Sequence, residues 1–146
     1  MMMNKMSKIA QYSFDDIELG LKKTFRVIIT ESLTNEFAKI TGDFSPIHME
    51  EGFARTTKFK QRISHGMLVG SFFSRLVGMH LPGKNGVLLS YSIKHLLPCF
   101  LDQEILVKGI VMDKSNSTRI ITLKATITDS YGKTLIDGIL KVFVSE

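Results

Sequence analysis

Apolar positions along this chain change period midway. Between Thr30 and His80 they recur at helical spacing, whereas from Val87 onward they form dense or alternating runs of Val, Ile, Leu and Thr. Leu33, Phe37 and Ile40 fall at i, i+4 and i+7, which predicts one apolar stripe on a short helix with Thr30 or Ser32 as its N-cap. That helix should stop at Thr41-Gly42, where glycine can take the left-handed conformation. Glu50 to Thr56 reads as a second short helix, with Glu50 and Glu51 at its positive end. The run Gly66 to His80 is apolar on nearly every side, which predicts a buried helix, and Pro82-Gly83 stops it. Four strands follow: Val87 to Leu97, Glu104 to Met112, Arg119 to Asp129 and Thr134 to Val144. Arg119 to Thr128 alternates almost without error, the mark of a strand with one wet face, and Tyr131-Gly132-Lys133 supplies a tight hairpin connection. With an early strand at Lys23 to Ile29, the pattern predicts an α+β plan: five or more antiparallel strands wrapped around one buried helix.

Composition narrows the class. The 146 residues fit one domain, 1–146, with residues 1–12 expected as a flexible N-terminal extension. Hydrophobic residues at 44% and charged residues at 23% are globular values. No stretch approaches the ~20 apolar residues of a membrane span, and Met1 to Gln11 lacks the apolar core of a signal peptide. A single Cys99 excludes an internal disulfide, so a cytoplasmic, reducing location is expected. The net charge of +5 comes from 19 scattered basic residues, locally concentrated only at Lys22-Lys23 and from Lys58 to Arg62. Without interleaved aromatics this does not read as a nucleic-acid surface. It suits a solvated face, or one that steers a phosphate-bearing small ligand.

The chemistry-bearing residues sit in two short segments. Gly42-Asp43-Phe44-Ser45-Pro46-Ile47-His48 places a carboxylate and an imidazole five residues apart. On a continuous helix those side chains would diverge by ~140°, but Pro46 forces a bend that can fold both onto one spot. Alone, the spacing is equally that of a turn aspartate followed by a capping histidine. Ile63-Ser64-His65-Gly66-Met67 adds a glycine at the start of the apolar helix, where an unpaired backbone N–H can meet a developing oxyanion. Gly66 is also the kind of residue that permits tight helix–sheet packing, and His65 reads as a helix-entry residue bonded to backbone. Ser74, eight residues past Gly66, lies near the same helix face, where it can reach an overlying loop or bond the carbonyl four residues back. No metal site is indicated, because His48 with Glu50 and Glu51 lacks a second histidine at ligand spacing. Cys99 reads as a small buried hydrophobe.

In combination, Phe37-Ala38-x-x-Thr41-Gly42-Asp43-x-Ser45-Pro46-Ile47-His48, Phe53-Ala54-x-x-Thr57-x-Phe59, Ile63-x-His65-Gly66-Met67-Leu68 and Leu81-Pro82-Gly83 resemble the MaoC-like (R)-specific enoyl-CoA hydratases. The resemblance runs from about residue 14 to the end and is nearest to the short single-domain members, including those that feed polyhydroxyalkanoate synthesis. It implies a hot-dog fold, a long central helix wrapped by an antiparallel sheet, assembled as a homodimer. It implies that Asp43 and His48 activate one water, that Gly66 N–H holds the thioester oxygen, and that Ser74 steadies the catalytic loop. No cofactor is implied, coenzyme A being part of the acyl-CoA substrate, and neither a nucleic-acid nor a membrane partner is. Ser45 stands where many relatives have Asn and Lys60 where many have Gly; neither change touches the proton-transfer groups. The competing readings are a 3-hydroxyacyl-carrier-protein dehydratase, a hot-dog thioesterase and a non-catalytic acyl-thioester binder. Phe72, Phe73, Leu88 and Leu89 are candidate acyl-chain liners or simply core.

Overall fold

The computed structural model describes residues 8–146. Strand β1 (Lys22–Ile29) leads into α1 (Glu31–Thr41), then two short helical turns, α2 (Pro46–Met49) and α3 (Glu51–Thr56). The apolar helix α4 (Gly66–Arg75) continues as a π-helical turn, Leu76–His80, and strands β2 (Gly86–His95), β3 (Gln103–Ser115), β4 (Ile120–Asp129) and β5 (Thr134–Val144) follow. All five strands form one antiparallel sheet in the order β1-β3-β4-β5-β2, so the hairpin series β3 to β5 makes its middle. The α+β hot-dog arrangement expected from the sequence is the one observed.

Alternation explains how the sheet meets the helix. Along β4 Lys124 is exposed and Thr126 half-buried on one side, where Thr122 is covered by Lys141 Nζ at 2.8 Å, and on the other Ile121, Leu123, Ala125 and Ile127 are buried. They join Leu68, Val69, Phe73, Leu76 and Val77 of the central helix in one apolar cluster with Val107, Val111, Ile136 and Leu140. Each of the larger side chains contributes roughly 1.5–3 kcal/mol on leaving water. Close approach is secured at Gly109 of β3, where a Cβ would fall 2.8 Å from Leu76 Cδ2. The Asp129 carboxylate closes the β4–β5 hairpin by accepting from Tyr131 and Lys133 N–H at 2.9 Å each.

Two expectations need correction. The central helix is not buried all round in the single chain: Met67 is 70% exposed, and Ser71, Ser74 and Gly78 are exposed with it. The sheet covers only one side of the helix, and the other looks into an open groove. Residues 10–12, expected as part of a flexible N-terminal extension, are docked on the domain. Residues 1–7 lie outside the described residues, but Ala10 N–H donates to Met79 O, Tyr12 N–H donates to Pro82 O, and Gln11 bridges Gly83. Those bonds dock residues 10–12 on the end of the central helix.

Candidate active site

Local signals at the end of α1 set the first catalytic candidate. Thr30 caps the helix, its Oγ1 accepting from Leu33 N–H at 3.1 Å. Gly42 ends it with φ near +78° while its N–H donates to Ala38 O at 2.8 Å. The chain therefore turns sharply out of α1 at Asp43. Thr41 Oγ1 accepts from Asp43 N–H at 3.2 Å, and Asp43 Oδ1 accepts from Ser45 N–H at 3.1 Å. This Asx turn occupies one carboxylate oxygen and leaves Oδ2 for other partners.

Pro46 then opens α2, the helical turn that carries His48. His48 Nδ1 lies 2.8 Å from Ile63 O. A carbonyl only accepts, so neutral His48 holds its proton on Nδ1 and presents a lone pair at Nε2. Asp43, His48 and His65 each place a side-chain donor or acceptor atom within 4.8 Å of the others. Two hydrogen bonds of about 2.8 Å meeting at a tetrahedral water oxygen span about 4.6 Å. One water can therefore bridge these groups.

Beside His48 opens a cavity of about 350 Å³. His48, Gly66 and His95 line it together with Lys58 and Phe59, and Val69, Leu97, Cys99, Leu135 and Ile136 give it apolar walls. Gly66 is the first residue of α4, and among the described residues its N–H has no hydrogen-bond acceptor. A Cβ here would lie 3.0 Å from both Cε1 and Nδ1 of His95, so only glycine leaves that N–H open to the cavity without displacing a side chain. An oriented imidazole and a free helix-start N–H at one apolar cavity, with a carboxylate within 4.8 Å of that imidazole, can activate water beside a carbonyl.

A MaoC-like domain model matches residues 16–131 of the chain, a span that contains every one of these groups. The chain belongs to the MaoC-like family. Among its relatives, an (R)-specific enoyl-CoA hydratase of Aeromonas caviae is 33% identical over 126 residues, covering 86% of this chain and 94% of that protein. One from Rhodospirillum rubrum is 34% identical over 135 residues, 90% of each chain. The unliganded R-hydratase structure from Pseudomonas aeruginosa superposes with a TM-score of 0.90 at 28% identity, covering 94% of this chain and 88% of that one.

The MaoC-like site differs from the sequence reading at several side chains. Ser74 does not share the 350 Å³ cavity; it lines the groove on the open helix face with Phe37, Thr41, Met67 and Tyr91. Phe37 and Thr41 belong to the last turns of α1, so Ser74 stands near the root of the Asp43 loop. Its hydroxyl has no partner among the described residues. Phe73 and Leu88 line the same groove, whereas Phe72 packs against the core and Leu89 is exposed.

Arg62 was legible only as part of a basic cluster, yet it is buried at 8% exposure. Its Nε donates to His48 O at 2.6 Å, one Nη to Glu31 Oε1 at 2.8 Å and the other to Asn35 Oδ1 at 3.2 Å. It ties the His48 turn to α1, through partners 14 to 31 residues distant in sequence that no local spacing reveals. His95 in the cavity wall was missed for a similar reason: it sits at the end of a strand whose pattern shows nothing but β structure. Cys99 is a wall residue whose thiol is pushed up to about 12, first by burial and then by the charge of Asp129, so it stays protonated.

Proposed function

We propose that this MaoC-like protein is an (R)-specific enoyl-CoA hydratase that adds water reversibly and syn across a trans-2-enoyl thioester. The observation that carries the reading is that His48, which lines one cavity with Gly66, has the Asp43 carboxylate within 4.8 Å of its ring nitrogen, a span one water can bridge.

In the mechanism, the water is held by Asp43 and by the lone pair on His48 Nε2. Asp43 takes one of its protons as the oxygen bonds to C3. The π electrons move through C2 to the thioester oxygen, where Gly66 N–H and the positive end of α4 stabilise the enolate. As the enolate collapses, Asp43 returns the proton to C2 on the same face and is regenerated as carboxylate. These three groups handle every proton and the developing charge, so no added cofactor is required. Positioned acid–base groups of this kind commonly contribute ~10²–10⁴-fold in rate.

We further propose a homodimer. Val87, Leu89 and Tyr91 of edge strand β2 are all more than half exposed, as is Met67 on the open face of α4. A second copy would cover both the unpaired β2 edge and the groove beside it.

Turnover of crotonyl-CoA by the purified protein, with chiral resolution of the 3-hydroxy product, tests the reading. Asp43→Asn should lose at least 10³-fold in kcat with an unchanged circular dichroism spectrum; wild-type-like turnover in that variant would remove the mechanism. Thiol release from a saturated acyl-CoA would favour a thioesterase, and turnover confined to carrier-protein thioesters would favour the dehydratase reading. Binding without any turnover would favour a non-catalytic binder. Light scattering that returned a monomer at micromolar concentration would contradict the dimer.

A further inference from the structure

We propose that His65 is the positioning residue of this site, one buried imidazole that sets the Asp43 backbone and the His48 ring against each other immediately before Gly66. The proposal rests on the hydratase reading for its kinetic consequences, though not for its geometry.

His65 is 2% exposed. Its Nε2 donates to Asp43 O at 2.9 Å and lies 3.9 Å from Asp43 Oδ2. Its ring packs tilted against His48 at a centroid distance of 4.0 Å and an interplanar angle of 30°, and Phe37 packs against it at 4.9 Å. One side chain therefore touches both members of the proposed acid–base pair, and its own backbone leads directly into the oxyanion donor.

The position it occupies makes this placement costly for an ordinary helix. His65 stands at the N-cap of α4, where Ser, Thr, Asp or Asn would satisfy a free N–H, yet its side chain makes no capping bond. It turns to Asp43 instead, and its Nδ1 is buried without a partner among the described residues. The platform beneath it is held on both sides: Ser64 Oγ pairs with Thr34 Oγ1 at 2.8 Å, and Ser64 N–H donates to Cys99 O at 2.7 Å. A phenylalanine could present a ring to His48 but could not donate to Asp43. A glutamine could donate but presents no ring.

The test uses His65→Phe and His65→Gln in the full-length protein, assayed with crotonyl-CoA and by amide hydrogen exchange. Expected for His65→Phe is a kcat at least ten-fold below wild type with KM within two-fold. The Ser45 amide, bonded to Asp43 Oδ1, should exchange at least ten-fold faster while β3 and β4 amides are unchanged. His65→Gln should recover part of both losses. Unchanged kcat and exchange in His65→Phe would overturn the proposal, as would a loss shared equally by KM and by sheet amides. Should His65→Phe not fold, His65→Gln carries the test: a reduced kcat at constant KM supports the proposal and an unaltered kcat overturns it. If the wild type hydrates no enoyl thioester, the hydratase reading falls and the Ser45 exchange comparison decides the positioning role alone.

Discussion

Replacing Arg62 with Met would keep the length and apolar stem of the side chain and remove its fork. Three bonds are lost, to His48 O, Glu31 Oε1 and Asn35 Oδ1. Glu31 is 58% exposed on its side chain and rehydrates, so its loss is worth no more than ~1 kcal/mol. The bonds to His48 O and Asn35 Oδ1 are sheltered, and hydrogen bonds from a charged donor are worth ~1.5–3 kcal/mol each. Burying a thioether in place of a guanidinium recovers part of the total, since breaking into a buried charge and removing it are different operations. A net destabilisation of about 2–4 kcal/mol follows, which for a chain of this length lowers Tm by roughly 6–14 °C. Because Arg62 grips the carbonyl of His48 itself, kcat should fall by about ten-fold even well below Tm. Arg62→Lys, which can reach only one or two of the three acceptors, should fall between. The assays are urea denaturation by circular dichroism and steady-state hydration at 15 °C. A Met variant within 0.5 kcal/mol of wild type with full activity would refute the idea that Arg62 anchors the His48 turn.

Three other outcomes are expected. Gly66→Ala should fold within about 1 kcal/mol of wild type, because His95 is an exposed side chain that can swing away from a new methyl. Its kcat/KM should nonetheless drop ~10²-fold as the methyl crowds the N–H; undiminished activity would exclude Gly66 as the oxyanion donor. Cys99, with its thiol pushed up to about 12, should react with iodoacetamide at pH 8 at least a hundred times more slowly than free cysteine, and rapid labelling would contradict its burial. His80 is held below its ordinary value of 6.5 by burial first, then by Arg75 and Lys23, and it stacks on Phe25 at 4.7 Å. The unfolded chain therefore binds the extra proton: this contribution to stability is complete above about pH 6.5 and is lost as pH falls toward the folded value. His80→Phe should narrow the Tm difference between pH 7.5 and pH 5.5, and an unchanged difference would refute the assignment.

What could be read in the sequence was what local rules govern. Gly42 and Pro46 bracket the Asp43 turn because glycine alone tolerates a left-handed helix stop easily and proline breaks and restarts a helix, so a bend able to bring Asp43 and His48 together was visible from residue types, while a turn aspartate followed by a capping histidine fitted the same residues. The alternation in β4 likewise declares its faces. Arg62 reads in the sequence as part of a basic stretch, solvated or steering an anionic ligand, because burial of a charge depends on partners remote in sequence. The all-round apolar helix was misjudged because one chain supplies only one sheet: Met67 and its neighbours are apolar for a surface that the fold itself leaves open. Ser74, near Gly66 by helical geometry, lines a different hollow, since its helix face looks away from the cavity beside His48.

The most direct test of the central claim is hydration of crotonyl-CoA in D2O followed by NMR of the 3-hydroxybutyryl product. One carboxylate that both takes a proton from water and delivers one to C2 predicts a single deuterium at C2, on the same face as an (R)-configured hydroxyl. Deuterium on the opposite face, an (S)-hydroxyl, or free coenzyme A in place of the hydrated thioester would contradict it.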